Sequence, residues 1–199
     1  RLLRGYSYVL AGDTGRSRRI EISILTSHGG EATPTPGSAS TPNDEQDRLK
    51  RIGALAGRKD PGAIAELSRL AGSDPSPVVR IQAVAALGRL RTPEASPPVT
   101  LALTDESAAV RIQALRSVKS LKGTAAFSDL QAIATHDPDP AVRKQAVRLV
   151  TDIRNPEVPW LLEQAAADND PAVSQEARKA ARRWEQRYGA RRGAAGGTR

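Results

Sequence analysis

One motif returns four times at an almost constant interval, and that return restricts the chain to an architecture of stacked repeats. Asp74, Asp105, Asp137 and Asp168 open the segments DPSPVVRIQAVAAL, DESAAVRIQALRSV, DPDPAVRKQAVRLV and DNDPAVSQEARKAA, spaced 31, 32 and 31 residues apart. A unit this short cannot enclose a core of its own, so neighbouring units must bury each other's apolar faces. Two residues after each Asp stands Ser76, Ser107, Asp139 or Asp170, each a good acceptor for the unpaired N–H groups of a helix start. Pro77, Ala108, Pro140 or Pro171 follows, and Pro suits the first helical turn because no N–H is required there. Val79, Val110, Val142 and Val173 then precede Ala83, Ala114, Ala146 and Ala177 by four residues. That spacing marks one buried stripe in which Ala permits close helix approach. Each segment therefore begins a helix.

A shorter helix precedes each of these. Asp60-Pro61, Thr92-Pro93 and Asn155-Pro156 mark three of its starts, with Thr124 alone at the other. Its apolar stripe reads Ile64, Leu67 and Leu70, then Leu101, then Leu130 and Ile133, then Trp160 and Leu161. Helix pairs stacked in register predict an all-α, right-handed α-solenoid of about four units over residues 44–188, with a capping helix near 47–56. Composition agrees with such a core. Aromatic residues make up 3% of the 199 residues, so packing falls to Ala, Leu, Val and Ile. No run approaches the roughly 18 consecutive apolar residues of a membrane span. With no Cys in the chain, disulfides, thiolate metal sites and cysteine nucleophiles are excluded.

The flanks have a different character. Tyr6–Leu10 and Ile20–Thr26 alternate in the manner of strands around a Gly12-Asp13-Thr14-Gly15 turn, which predicts a β-hairpin within residues 1–30. An isolated hairpin is marginal in water, so this one is expected to be the remnant of a small module. The chain holds no Met, and Arg1–Gly5 is no secretory leader, so further sequence is expected upstream. Residues 31–43 are rich in Pro, Ser, Thr and Gly and read as a flexible linker; residues 189–199 read as a disordered basic tail.

The Asp-Pro-x-Pro-x-Val-Arg-x-x-Ala run at 74–83 and 137–146 resembles the HEAT repeat, at the start of its second helix. The short period is similar to that of the bacterial repeats associated with phycobilisome-lyase subunits. In the resembled family the Arg at this position pairs with an Asp of a neighbouring unit, which implies a structural ladder of Asp74, Arg80, Asp105, Arg111, Asp137 and Arg143. The fourth copy departs, with Ser174 for the Arg and Glu176 for the Gln, as expected of a unit with no further neighbour. The hairpin resembles the end of the short N-terminal domain of secretins and TonB-dependent receptors. That second resemblance implies the bacterial periplasm or envelope, with cytoplasm as the alternative.

Function follows from what is present. No nucleophile elbow, Walker loop, zinc-protease motif or dinucleotide fingerprint occurs, so no enzyme and no cofactor are expected. His28 and His136 stand in unrelated settings, unlike the repeated His-Glu pairs of HEAT-type deoxyhypusine hydroxylases. Alkyl-base glycosylases of similar fold use groove aromatics, whereas Trp160 is expected to pack in the core. The resulting expectation is a scaffold or assembly factor that binds a protein or filament on the solenoid's concave face. Candidate contacts are Gln82, Arg89, Gln113, Arg116, Lys144, Gln145 and Arg148. The net charge is +8, and Arg178, Lys179, Arg182, Arg183 and Arg187 form a basic patch on the last helix. This patch is the basis of the alternative, nucleic-acid binding.

Overall fold

Caps and prolines decide where the helices begin. The structure, a computed structural model, describes residues 42–189; the expected hairpin, nearly all of the linker and the tail beyond Gly189 lie outside the described residues. Within them the chain is helical throughout: α1 (Pro42–Leu55), α2 (Pro61–Ser73), α3 (Pro77–Leu90), α4 (Ser96–Leu101), α5 (Ala108–Lys122), α6 (Phe127–His136), α7 (Pro140–Val150), α8 (Val158–Ala166) and α9 (Pro171–Tyr188). Asp60 accepts a hydrogen bond from the Ala63 N–H, Asp139 from Ala141, and Asp170 from both Ala172 and Val173. Each cap stands directly before a Pro at the first helical position, where the missing N–H is harmless.

The nine helices of the described region form an N-terminal cap, α1, and four antiparallel pairs: α2 with α3, α4 with α5, α6 with α7, and α8 with α9. The second members pack in unbroken succession, α3 on α5, α5 on α7 and α7 on α9. The first members meet less closely, and α4 and α6 make no comparable contact. A layer packed more tightly than its partner layer lies on the inside of a curve. The second helices thus line the inner face. The core between the layers is continuous, because Val79, Val110, Val142 and Val173 and the four partner alanines are fully buried in every repeat. Each buried Val is worth about 1.5–3 kcal/mol against exposure.

Two residues of the expected first-helix stripe are not in the core. Leu101 is 68% exposed and Trp160 is 55% exposed. Around α4 the chain tightens into 3-10 turns at Pro93–Ala95 and Ala102–Thr104, which change the register, so Ala95, Val99, Ala102 and Leu103 fill the core instead. In α8 the buried stripe is Val158, Leu161, Leu162 and Ala165, the i, i+3, i+4, i+7 pattern, which turns Trp160 outward. Thr92 and Thr124 do not cap helices either. Thr92 makes no side-chain cap bond, and Thr124 lies inside the 3-10 turn Gly123–Ala126. Ser107 also makes no side-chain cap bond. The N-terminal capping helix begins at Pro42, five residues before its expected start.

Between α3 and α5 the approach is closest at Gly88. A Cβ there would stand 2.5 Å from Ser117 Oγ and 3.0 Å from Ser117 Cα. Ser117 is itself buried and donates to the Val84 carbonyl across the interface at 3.1 Å. Because the clash includes backbone, no rotamer change relieves it. Gly88→Ala should lower unfolding stability by about 1–3 kcal/mol, the usual scale of core overpacking; urea denaturation of the purified variant measures it.

Candidate functional site

Two sets of side chains carry the charge of the molecule, one holding the stack together and one facing outward. The first begins with the Asp of each repeat turn. Its carboxylate accepts the backbone N–H two residues on, at Ser76, Ser107, Asp139 and Asp170 (2.8–2.9 Å). These bonds fix the turn and leave carboxylate lone pairs aimed at the preceding repeat. Arg80 fills that position on Asp105 with two parallel bonds, Nε to Oδ2 at 2.8 Å and Nη2 to Oδ1 at 2.9 Å. Arg111 does the same on Asp137, and Arg143 on Asp168. The third nitrogen of each guanidinium donates back to the carbonyl of its own repeat's Asp: Arg80 to Asp74, Arg111 to Asp105, Arg143 to Asp137. Every Arg therefore joins two consecutive turns through a fork geometry that Lys could not reproduce.

The ladder has a fourth rung that sequence reasoning missed. Arg48 of α1 forms an ion pair with Asp74, its Nη2 donating to Oδ1 at 3.3 Å, so the capping helix is tied to the first turn at the ladder position, though without the two-bond fork of the repeats. The signal was available: Arg48 precedes Asp74 by the same 26 residues that separate Arg111 from Asp137. At the other end Ser174 replaces the Arg, and its hydroxyl donates to the Pro171 carbonyl within its own helix. Glu176, expected to lack a neighbour, is buried and receives Arg148 from the preceding repeat and Arg183 from its own helix. Although burial alone raises its carboxyl pKa, these two guanidinium groups bring the net shift below the ordinary value.

The outward set lies on the second helices. Gln82, Arg89 and Arg116 are exposed, and Gln113, Lys144 and Gln145 are half-buried. Gln113 donates to Ser117 Oγ at 3.3 Å, so part of its hydrogen-bonding capacity is internal. Of the basic patch on α9, Arg183 and Arg187 are paired, to Glu176 and Asp152, whereas Arg178, Lys179 and Arg182 have no ion-pair partner among the described residues. Trp184 is buried with its indole N–H donated to the Ile153 carbonyl (3.0 Å), and Tyr188 packs against its ring. No group of three His, Asp or Glu suited to a metal ion occurs among the described residues, and no helix there is long and apolar enough to cross a membrane. A cleft of about 530 Å³ opens between the first two turns, beside Arg80 and Asp105. Its charged groups are already bonded to one another.

Paired helices stacked through a repeated core and a repeated ion-pair ladder define an α-solenoid repeat protein. The family model for HEAT repeats matches residues 39–101 and 96–182, and the chain belongs to that family. Comparison with curated proteins gives no match.

Arg111 and Asp137 form the most deeply enclosed pair, with side chains 10% and 2% exposed, whereas Arg48 is 23% exposed. Removing one partner strands a buried charge, at about 3–5 kcal/mol. Arg111→Ala should therefore destabilise the fold by that order and Arg48→Ala by less, and chemical denaturation ranks the two. The bond from Arg143 holds the Asp168 carboxyl below the ordinary aspartate value. The folded state then binds fewer protons than the unfolded chain. This stabilisation is complete above the unfolded value near 3.9 and is lost as pH falls through the lower, folded value. The gap in urea midpoint between wild type and Asp168→Asn should be widest at neutral pH and narrow as pH falls below the unfolded aspartate value of about 3.9.

Proposed function

We propose that this protein is a non-catalytic scaffold that binds another protein along the face formed by α3, α5, α7 and α9. The observation that supports this reading is the contrast between its two kinds of polar residue. The ladder arginines are consumed within the structure, whereas Gln82, Arg89, Arg116 and Lys179 stand exposed at successive positions on one rigid face. HEAT repeats generally serve as protein-interaction scaffolds, and an unbroken row of helices offers a partner a long, preorganised surface at little ordering cost. The same reading takes the protein for an assembly factor of the bacterial envelope, on the resemblance of residues 1–30 to a secretin-type domain.

A photo-crosslinking residue placed at Gln82 or Gln145, on second helices, should capture a discrete partner in an extract of the source organism. The same residue at Leu101 or Glu163, on first helices, should not. Capture from the first-helix positions alone would overturn the assignment of the binding face.

A further inference from the structure

Charge in this solenoid is largely sorted by layer, the exceptions being Arg69 of α2, which is paired with Glu66, and the two glutamates of α9. The second helices α3, α5 and α7 contain no Asp or Glu at all, and the first helices α4, α6 and α8 contain no Lys or Arg. Once the ladder arginines are paired, the inner face keeps Arg89, Arg116, Lys119, Lys144, Lys179 and Arg182 without an ion-pair partner among the described residues. Its carboxylates are few. Glu176 lies buried beneath Arg148 and Arg183, Asp152 is paired with Arg187, and Glu185, near the end of α9, has no ion-pair partner among the described residues. The outer layer carries Glu94 and Glu163, without an ion-pair partner among the described residues. Arg116, Arg148 and Lys179 occupy the same register position in three consecutive repeats, eleven residues after the turn Asp. Packed helices lie about 8–10 Å apart, so these cations form a row with that step.

We infer that the occupant of this face is an acidic polypeptide segment in polyproline II conformation, with carboxylates recurring about every third residue. This deepens the scaffold reading and rests on it. A polyproline II helix has three residues per turn and advances about 3.1 Å per residue, so every third side chain returns to the same side about 9 Å further on and meets the next repeat. Carboxylate is the group that guanidinium forks in this molecule already bind. A nucleic acid fits less well. Among the described residues the inner face offers base stacking a single partly exposed ring, Tyr188, which already packs on Trp184, since Trp184 and Phe127 are buried and Trp160 lies on α8. The acidic outer layer also confines attraction to a strip one helix layer wide.

The test uses the full chain and a fluorescein-labelled peptide of about fifteen residues, five consecutive Glu-Ala-Ser units, chosen to match that step. Controls are its Gln-Ala-Ser counterpart and an oligothymidylate of similar length. Fluorescence anisotropy should show the Glu peptide binding more tightly than both controls. Binding should weaken as salt rises from about 0.1 M to about 1 M, where the screening length falls from about 10 Å to about 3 Å. The double variant Arg116→Glu/Lys179→Glu should weaken it about tenfold or more, the scale of two lost charge-assisted contacts. Lys59→Glu, an exposed loop position between α1 and α2, should leave it within about twofold. Tighter binding of the oligonucleotide, reduced by the same double variant, would overturn the inference in favour of nucleic acid. So would failure of the Glu peptide to bind, or binding indifferent to the double variant. The scaffold reading would then stand or fall separately, on whether the Gln82 and Gln145 crosslinks form.

Discussion

Everything in this structure depends on a guanidinium that bonds two turns at once. Apolar burial drives the repeats together, but burial is not directional and would tolerate sliding of one helix pair over the next. The Arg–Asp fork does not. Arg80, Arg111 and Arg143 each reach forward to the carboxylate of the following repeat and back to a carbonyl of their own. A slip of one residue would break both forward bonds of every fork. Register is thereby set by hydrogen-bond geometry, while the energy of association comes mainly from the fully buried Val and Ala positions.

Most of the fold was legible because one position in each repeat was read four times. Val79 alone would be an ordinary apolar residue; Val79, Val110, Val142 and Val173 at a constant offset from an Asp are a statement about packing. The first helices were read less well for the complementary reason. They share no fixed motif, their starts are 3-10 turns in two cases, and a shift of one residue in a short helix moves a side chain by about 100° around the axis. Leu101 and Trp160 changed sides on that account.

The outward-facing residues were harder to read still. Arg148 and Arg183 read as free cations, yet both meet Glu176, whose burial depends on the approach of α7 to α9. Pairing across a stack is invisible until the spacing of its layers is known. The sorting of charge by layer was present in the sequence but hidden by helix boundaries, because the overall +8 blends a cationic layer with one that holds almost no cations. The Arg48 rung shows the opposite case: its 26-residue offset was in plain view, but it falls in a segment without the repeat motif.

The ladder also sets how the solenoid can deform. All of its rungs lie along one edge, where the first helix of each pair turns into the second. The other edge is built from connections such as Arg91–Ala95 and Lys122–Ala126, whose 3-10 turns carry no such inter-repeat forks. A structure stitched along one margin bends like a bound book. The stitched edge acts as the spine; fanning of the repeats at the opposite margin would break no fork, only single contacts such as Arg187 to Asp152 and the Trp184 indole to the Ile153 carbonyl. A partner lying across the helices would be gripped or released by that fanning, without a single rung of the spine being broken.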